Sequence, residues 1–116
     1  MSKIGLIVNS NSEITETGIS LKELQAGVDG WIEAIDINEN MTMWVNEEFL
    51  LRSEPDTNPI ASAFFGTIGG QYAIHGSVVF TGGTDENGDT LGLGEKEISL
   101  IKNLAKSMET LMALED

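Results

Sequence analysis

Apolar residues gather in short β-like runs through the first two thirds of the chain and in a helical stripe at its end. Lys3 to Val8 (KIGLIV), rich in Ile and Val, predicts a first strand, and the polar stretch Asn9 to Gly18 predicts a loop. Ser20 and Glu23 are spaced as a capping box, in which hydroxyl and carboxylate each satisfy an orphan amide at a helix start. The helix this opens is short, with Gly27 and Gly30 as its stop signals. From Trp31 to Ile37 the chain alternates, placing Trp31, Glu33, Ile35 and Ile37 on one face and Ile32, Ala34 and Asp36 on the other. Met41 to Val45 follows the turn Asn38-Glu39-Asn40, so the two runs read as a hairpin. On its second strand Trp44 faces away from Met41, Met43 and Val45.

The middle is less regular. Asn46-Glu47-Glu48 reads as a turn, Phe49-Leu50-Leu51 as an apolar patch, and Ser53 to Pro59 as a loop. Pro59 to Phe65 predicts a helical turn with proline at its first position, where the missing amide costs nothing, and Gly66 as its end. Nine of the thirteen glycines lie between Gly66 and Gly94, which predicts turns around one strand, Ser77 to Thr81. From Glu95 to Leu114, Ile98, Ile101, Leu104, Ala105, Met108, Leu111 and Met112 recur at three- and four-residue intervals. That is the stripe of an amphipathic helix, with Glu95 and Glu97 at the positive end of its dipole. The expectation is a single acidic α+β domain over residues 1–116. It has a mostly antiparallel sheet of four to five strands, a short N-terminal helix, and a long C-terminal helix that packs on one face or pairs two copies as a homodimer.

The absence of cysteine rules out a disulfide framework, a thiolate metal site and a cysteine nucleophile, and suits a reducing cytoplasm. The start, Met1 to Asn9, lacks the charged, apolar and small-residue regions of a signal peptide. No apolar run reaches the ~20 residues of a membrane span. Charge changes the picture most: 19 Asp and Glu against 6 Lys and Arg give a formal net charge of -13. Such a surface repels nucleic-acid phosphates and anionic lipids and leaves basic partners as the complementary class.

Candidate chemistry is sparse. Asp85-Glu86-Asn87-Gly88-Asp89 begins like a calcium loop, but Thr90 stands where such a loop needs glycine, and Lys96 where it needs a bidentate Glu. A plain hairpin around Asn87-Gly88 is the simpler reading, and a weak magnesium or calcium site the other. His75, the one histidine, has no neighbour in sequence to make it a base or ligand, and reads as structural or exposed. No serine sits in a Gly-x-Ser-x-Gly elbow, and Gly66-Thr67-Ile68-Gly69-Gly70 lacks the lysine of a phosphate loop. No catalytic residue, metal ligand or cofactor is assigned.

The acids concentrate between Glu33 and Asp56, where Glu33, Asp36, Glu39, Glu47, Glu48, Glu54 and Asp56 face one base, Arg52. They form either a solvated face that maintains solubility or a docking surface for a basic groove. Trp44 among them is either core or an interface anchor. The candidate protein-binding residues are therefore Glu33, Asp36, Trp44, Glu47, Glu48, Glu54 and Asp56.

Five segments carry a family resemblance: Val28-Asp29-Gly30-Trp31-Ile32-Glu33-Ala34-Ile35; Met43-Trp44-Val45-Asn46-Glu47-Glu48-Phe49-Leu50; Asn58-Pro59-Ile60-Ala61; Ile74-His75-Gly76-Ser77-Val78-Val79-Phe80-Thr81-Gly82; and Leu91-Gly92-Leu93. Together they resemble the DUF3846 family, small proteins of bacteriophages, plasmids and bacterial genomes whose function is unassigned. The resemblance implies that the Gly-Trp-Ile-Glu strand, the Asn-Glu-Glu turn and the Asn-Pro corner mark the fold, and it supplies no catalytic motif. With the charge, it leads to the expectation of a non-enzymatic phage or mobile-element protein acting in the host cytoplasm. Such a protein binds and inhibits a host protein with a basic surface, in imitation of nucleic acid, without touching nucleic acid or membrane itself. The alternative is a nucleotide- or small-molecule-sequestering module built on the glycine-rich segment 66–94.

Overall fold

The computed structural model describes residues 3–48 and 56–114, with side chains described as far as residue 110. Five strands, β1 (Gly5–Val8), β2 (Ile14–Thr17), β3 (Ile32–Asn38), β4 (Met41–Asn46) and β5 (Val78–Thr81), form one sheet in the order β2-β1-β5-β4-β3. Every neighbouring pair is antiparallel. Three helices, α1 (Leu21–Val28), α2 (Pro59–Thr67) and α3 (Glu95–Leu114), complete an α+β fold.

Alternation along the strands sorts the side chains onto two faces. On one face Leu6, Val8, Met41, Met43, Val45, Val78 and Phe80 are buried with Ile60, Ala61 and Phe64 of α2 and Ile101 of α3. Ile98, Leu104, Ala105 and Met108 of α3 pack against this cluster, while Leu100 stands exposed. The Phe64 ring lies 5.1 Å from that of Phe80, a tilted aromatic pair that fixes α2 over the central strand. The opposite face is thinner: α1 lays Leu24 and Val28 on Val79, with Ile7, Ile32 and Trp44 packed around them.

Local chemistry explains most boundaries. The Ser20 hydroxyl accepts from the Glu23 amide at 3.2 Å while the Glu23 carboxylate accepts from the Ser20 amide, closing the expected capping box. The far end of α1 differs from the sequence reading: Gly27 lies inside the helix, and Asp29 takes the left-handed conformation of the cap at φ 60°. Gly27 is needed there for close approach, since a Cβ would sit 2.5 Å from Cγ2 of buried Val79. Residues 9–18, expected as a loop, contain β2. Asn9 folds the chain back by accepting the amides of Asn11 and Glu13 at 2.9 and 3.0 Å, and Ile14 reaches the core opposite Val8. Gly66 does not end α2, which runs on to Thr67.

Asn58 ties three parts of the fold together. It is fully buried; its Oδ1 accepts the Ala61 amide at 3.0 Å, capping α2, while its Nδ2 donates to the carbonyls of Val8 (2.9 Å) and Gly76 (2.8 Å). Asn46 acts similarly at the other helix, its Nδ2 donating at 3.0 Å to the Val28 carbonyl at the end of α1.

Candidate functional site

The β3–β4 hairpin places the acids. Its register pairs Glu33 with Val45, Ala34 with Trp44 and Asp36 with Thr42, so Glu33 lies on the face of α2 and α3 and Asp36 on the face of α1. Both are exposed. Glu39 occupies the turn at one end of β3; at the other, the Glu47 amide donates to the Trp31 carbonyl at 2.9 Å, so Glu47 and Glu48 lie beside the start of β3. The acids thus run along the outer margin of the sheet, from Glu47 and Glu48 past Glu33 and Asp36 to Glu39. At ~3.3 Å per residue, a seven-residue strand makes this margin about 23 Å long. Asp56 is exposed but lies off the margin, its carbonyl accepting the Gly76 amide at 2.9 Å, and Glu54 lies outside the described residues.

Trp44 is half-buried: it packs in the α1 cluster, and its indole Nε1–H donates to the buried Thr81 hydroxyl at 2.9 Å. The tryptophan open to solvent is Trp31, 68% exposed at the entrance to β3 and beside a shallow depression of about 240 Å³ lined by Gln25, Gly30 and Trp31 itself. Sequence alternation alone could not distinguish the two, because exposure here depends on where α1 ends. Asp36 accepts from the Thr42 hydroxyl at 3.2 Å, next to the irregularity that shifts the strand register between Asp36 and Asn38. The Glu23 carboxylate is held below its ordinary pKa by the Ser20 hydroxyl and then by the Ser20 amide.

Asp85 Oδ1 accepts the amides of Asn87 and Asp89 at 2.8 and 2.9 Å, and a Thr84–Thr90 bridge closes the hairpin, so this carboxylate organises its own turn. Among the described residues no group of three or more His, Asp or Glu is placed to hold a metal ion. His75 is half-buried and its backbone bridges to Thr57. Two glycines of the 66–94 segment serve backbone packing: a Cβ on Gly82 would run into the Gly92 carbonyl, and one on Gly83 into the Glu39 carbonyl. A cleft of about 580 Å³ lies between the β1–β2 loop and α3. Lys102 and Lys106 line it beside Glu13 and Glu109, with Asn11 and Ser12 at the loop. The Ser12 hydroxyl is buried there without a hydrogen-bond partner, on a residue held at φ 66°.

Among the described residues no helix is long and apolar enough to cross a membrane. No curated protein and no solved structure matches the chain. The model of one family, described as a domain of unknown function, matches residues 1–106, and with the Gly-Trp-Ile-Glu strand and the Asn-Pro corner forming the sheet margin and the α2 cap, the chain belongs to the DUF3846 family.

Proposed function

We propose that this protein is a non-enzymatic accessory protein of a phage or mobile element that binds a basic surface of a host protein and inhibits it. The observation that carries this reading is the run of exposed carboxylates, Glu33, Asp36, Glu39, Glu47 and Glu48, along one sheet margin of a chain with net charge -13. Carboxylates gathered along one strand and its flanking turns give that margin a negative potential that attracts a cationic partner. A target whose normal ligand is a nucleic acid presents a basic groove, and carboxylates along a sheet margin offer that groove negative charge in place of phosphates. Such an interface forms quickly at low ionic strength and weakens with salt, because the screening length falls from ~10 Å at 0.1 M to ~3 Å at 1 M.

The test is capture of partners from lysate of a bacterial host at low and high salt, with the eluate examined by native mass spectrometry. A stoichiometric protein partner lost at high salt supports the reading; binding indifferent to salt contradicts it. A second reading, a small-ligand sequestering module, draws support from the cleft with Lys102, Lys106 and the unpartnered Ser12 hydroxyl rather than from the glycine-rich segment. A ligand-dependent rise in melting temperature with no protein partner in the eluate favours it.

A further inference from the structure

We infer that the partner is engaged by strand addition: an extended basic segment pairs with the outer edge of β3 and lengthens the sheet. This rests on the acidic-margin reading and goes beyond it by assigning the backbone, not only the carboxylates, to recognition.

Three features support it. β3 is the longest strand, with seven residues, and stands at the end of the sheet; among the described residues it pairs only with β4. Its outer row of backbone amides and carbonyls is therefore a template for another strand. The edge also selects its occupant by charge. An antiparallel second copy would bring the acidic side chains of two β3 strands together, which is unfavourable for like charges facing across a ladder. A strand carrying Lys or Arg on both faces instead meets Glu33 on one side and Asp36 on the other, since these residues project to opposite faces. The same charges that guard the edge against self-association thus admit a basic segment. Finally, Trp31 and its shallow depression stand at the entrance to the edge, where an exposed indole can take an apolar side chain or the face of a cation. The register shift after Asp36 sets the far limit, so the regular ladder available runs from Ile32 to Asp36.

The experiment uses the full chain, ¹⁵N-labelled, titrated at low salt with the synthetic peptide Lys-Lys-Val-Val-Lys-Lys-Val, which carries Lys on both faces of an extended strand and matches the seven residues of β3 in length. A second peptide of equal charge carries proline in place of the central valine. Strand addition predicts saturable shifts centred on Ile32 to Asp36, slowed amide exchange along that edge, and about tenfold weaker binding of the proline peptide, the loss expected for one or two backbone hydrogen bonds. The Glu33→Gln, Asp36→Asn variant, which changes only exposed side chains, then weakens the first peptide while its circular dichroism stays that of the parent. Equal binding of both peptides, with no protection along β3, overturns strand addition and leaves the acidic-margin reading standing. Failure of both peptides to bind overturns strand addition and the acidic-margin reading together.

Discussion

Asn58 uses both donors and its acceptor to join the end of β1, the segment before β5 and the first turn of α2. Asn58→Ala leaves two carbonyls and one amide without their partner in the interior, and the expected loss is about 2 to 4 kcal/mol of stability, read as a lower urea midpoint at unchanged slope. Asn58→Asp loses both donors as well, so it is equally damaging despite its shape; near-parental stability would show that the hub is not needed. Glu23 gives a pH signature. Its folded pKa is depressed, so its contribution is fully present above the ordinary value of 4.5 and is lost as pH falls through the lower folded value. Ser20→Ala removes the partner, so the stability gap between parent and variant is expected to be widest at neutral pH and to narrow in acid. A gap that stays constant with pH would contradict this origin.

At the scale of elements, patterning and capping made much of the fold legible in advance. The two-face alternation of β3, the orientation of Trp44 against Met41, Met43 and Val45, the Ser20–Glu23 capping box and the span of α3 all follow from local spacing, because each is decided by residues close in sequence. What was not legible depends on distant neighbours. The strand β2 has only Ile14 reaching the core, and its pairing comes from an Asn9-centred turn that a polar stretch conceals. Gly27 reads as a stop in isolation but is a contact point once Val79 lies beneath it. Gly27→Ala tests this directly. In an open helix the change stabilises by up to ~1 kcal/mol, whereas here the methyl group meets Val79, and a lower melting temperature is expected. The candidate site was legible as a list of acids and not as an arrangement. That Glu33, Asp36, Glu39, Glu47 and Glu48 share a margin while Asp56 does not, and that Trp31 rather than Trp44 stands open, follows from the sheet order and from where α1 ends.

For the whole molecule, the question is whether function resides in the total charge of -13 or in its placement along β3. Total charge governs long-range attraction and solubility, whereas placement governs which surface docks and how binding responds to a few substitutions. The two separate when charge is removed at different places in equal amount. One variant neutralises the margin (Glu33→Gln, Asp36→Asn, Glu39→Gln, Glu47→Gln); a second neutralises four exposed acids elsewhere (Glu13→Gln, Glu16→Gln, Glu86→Gln, Glu109→Gln), reaching the same net charge. The most direct measurement compares the affinity of parent and both variants for the protein partner recovered from host lysate, over a series of salt concentrations. The margin variant is expected to lose at least about tenfold in affinity and much of its salt dependence, while the second variant stays close to the parent. Equal losses in the two variants, or none in the first, would contradict the assignment of binding to the β3 margin.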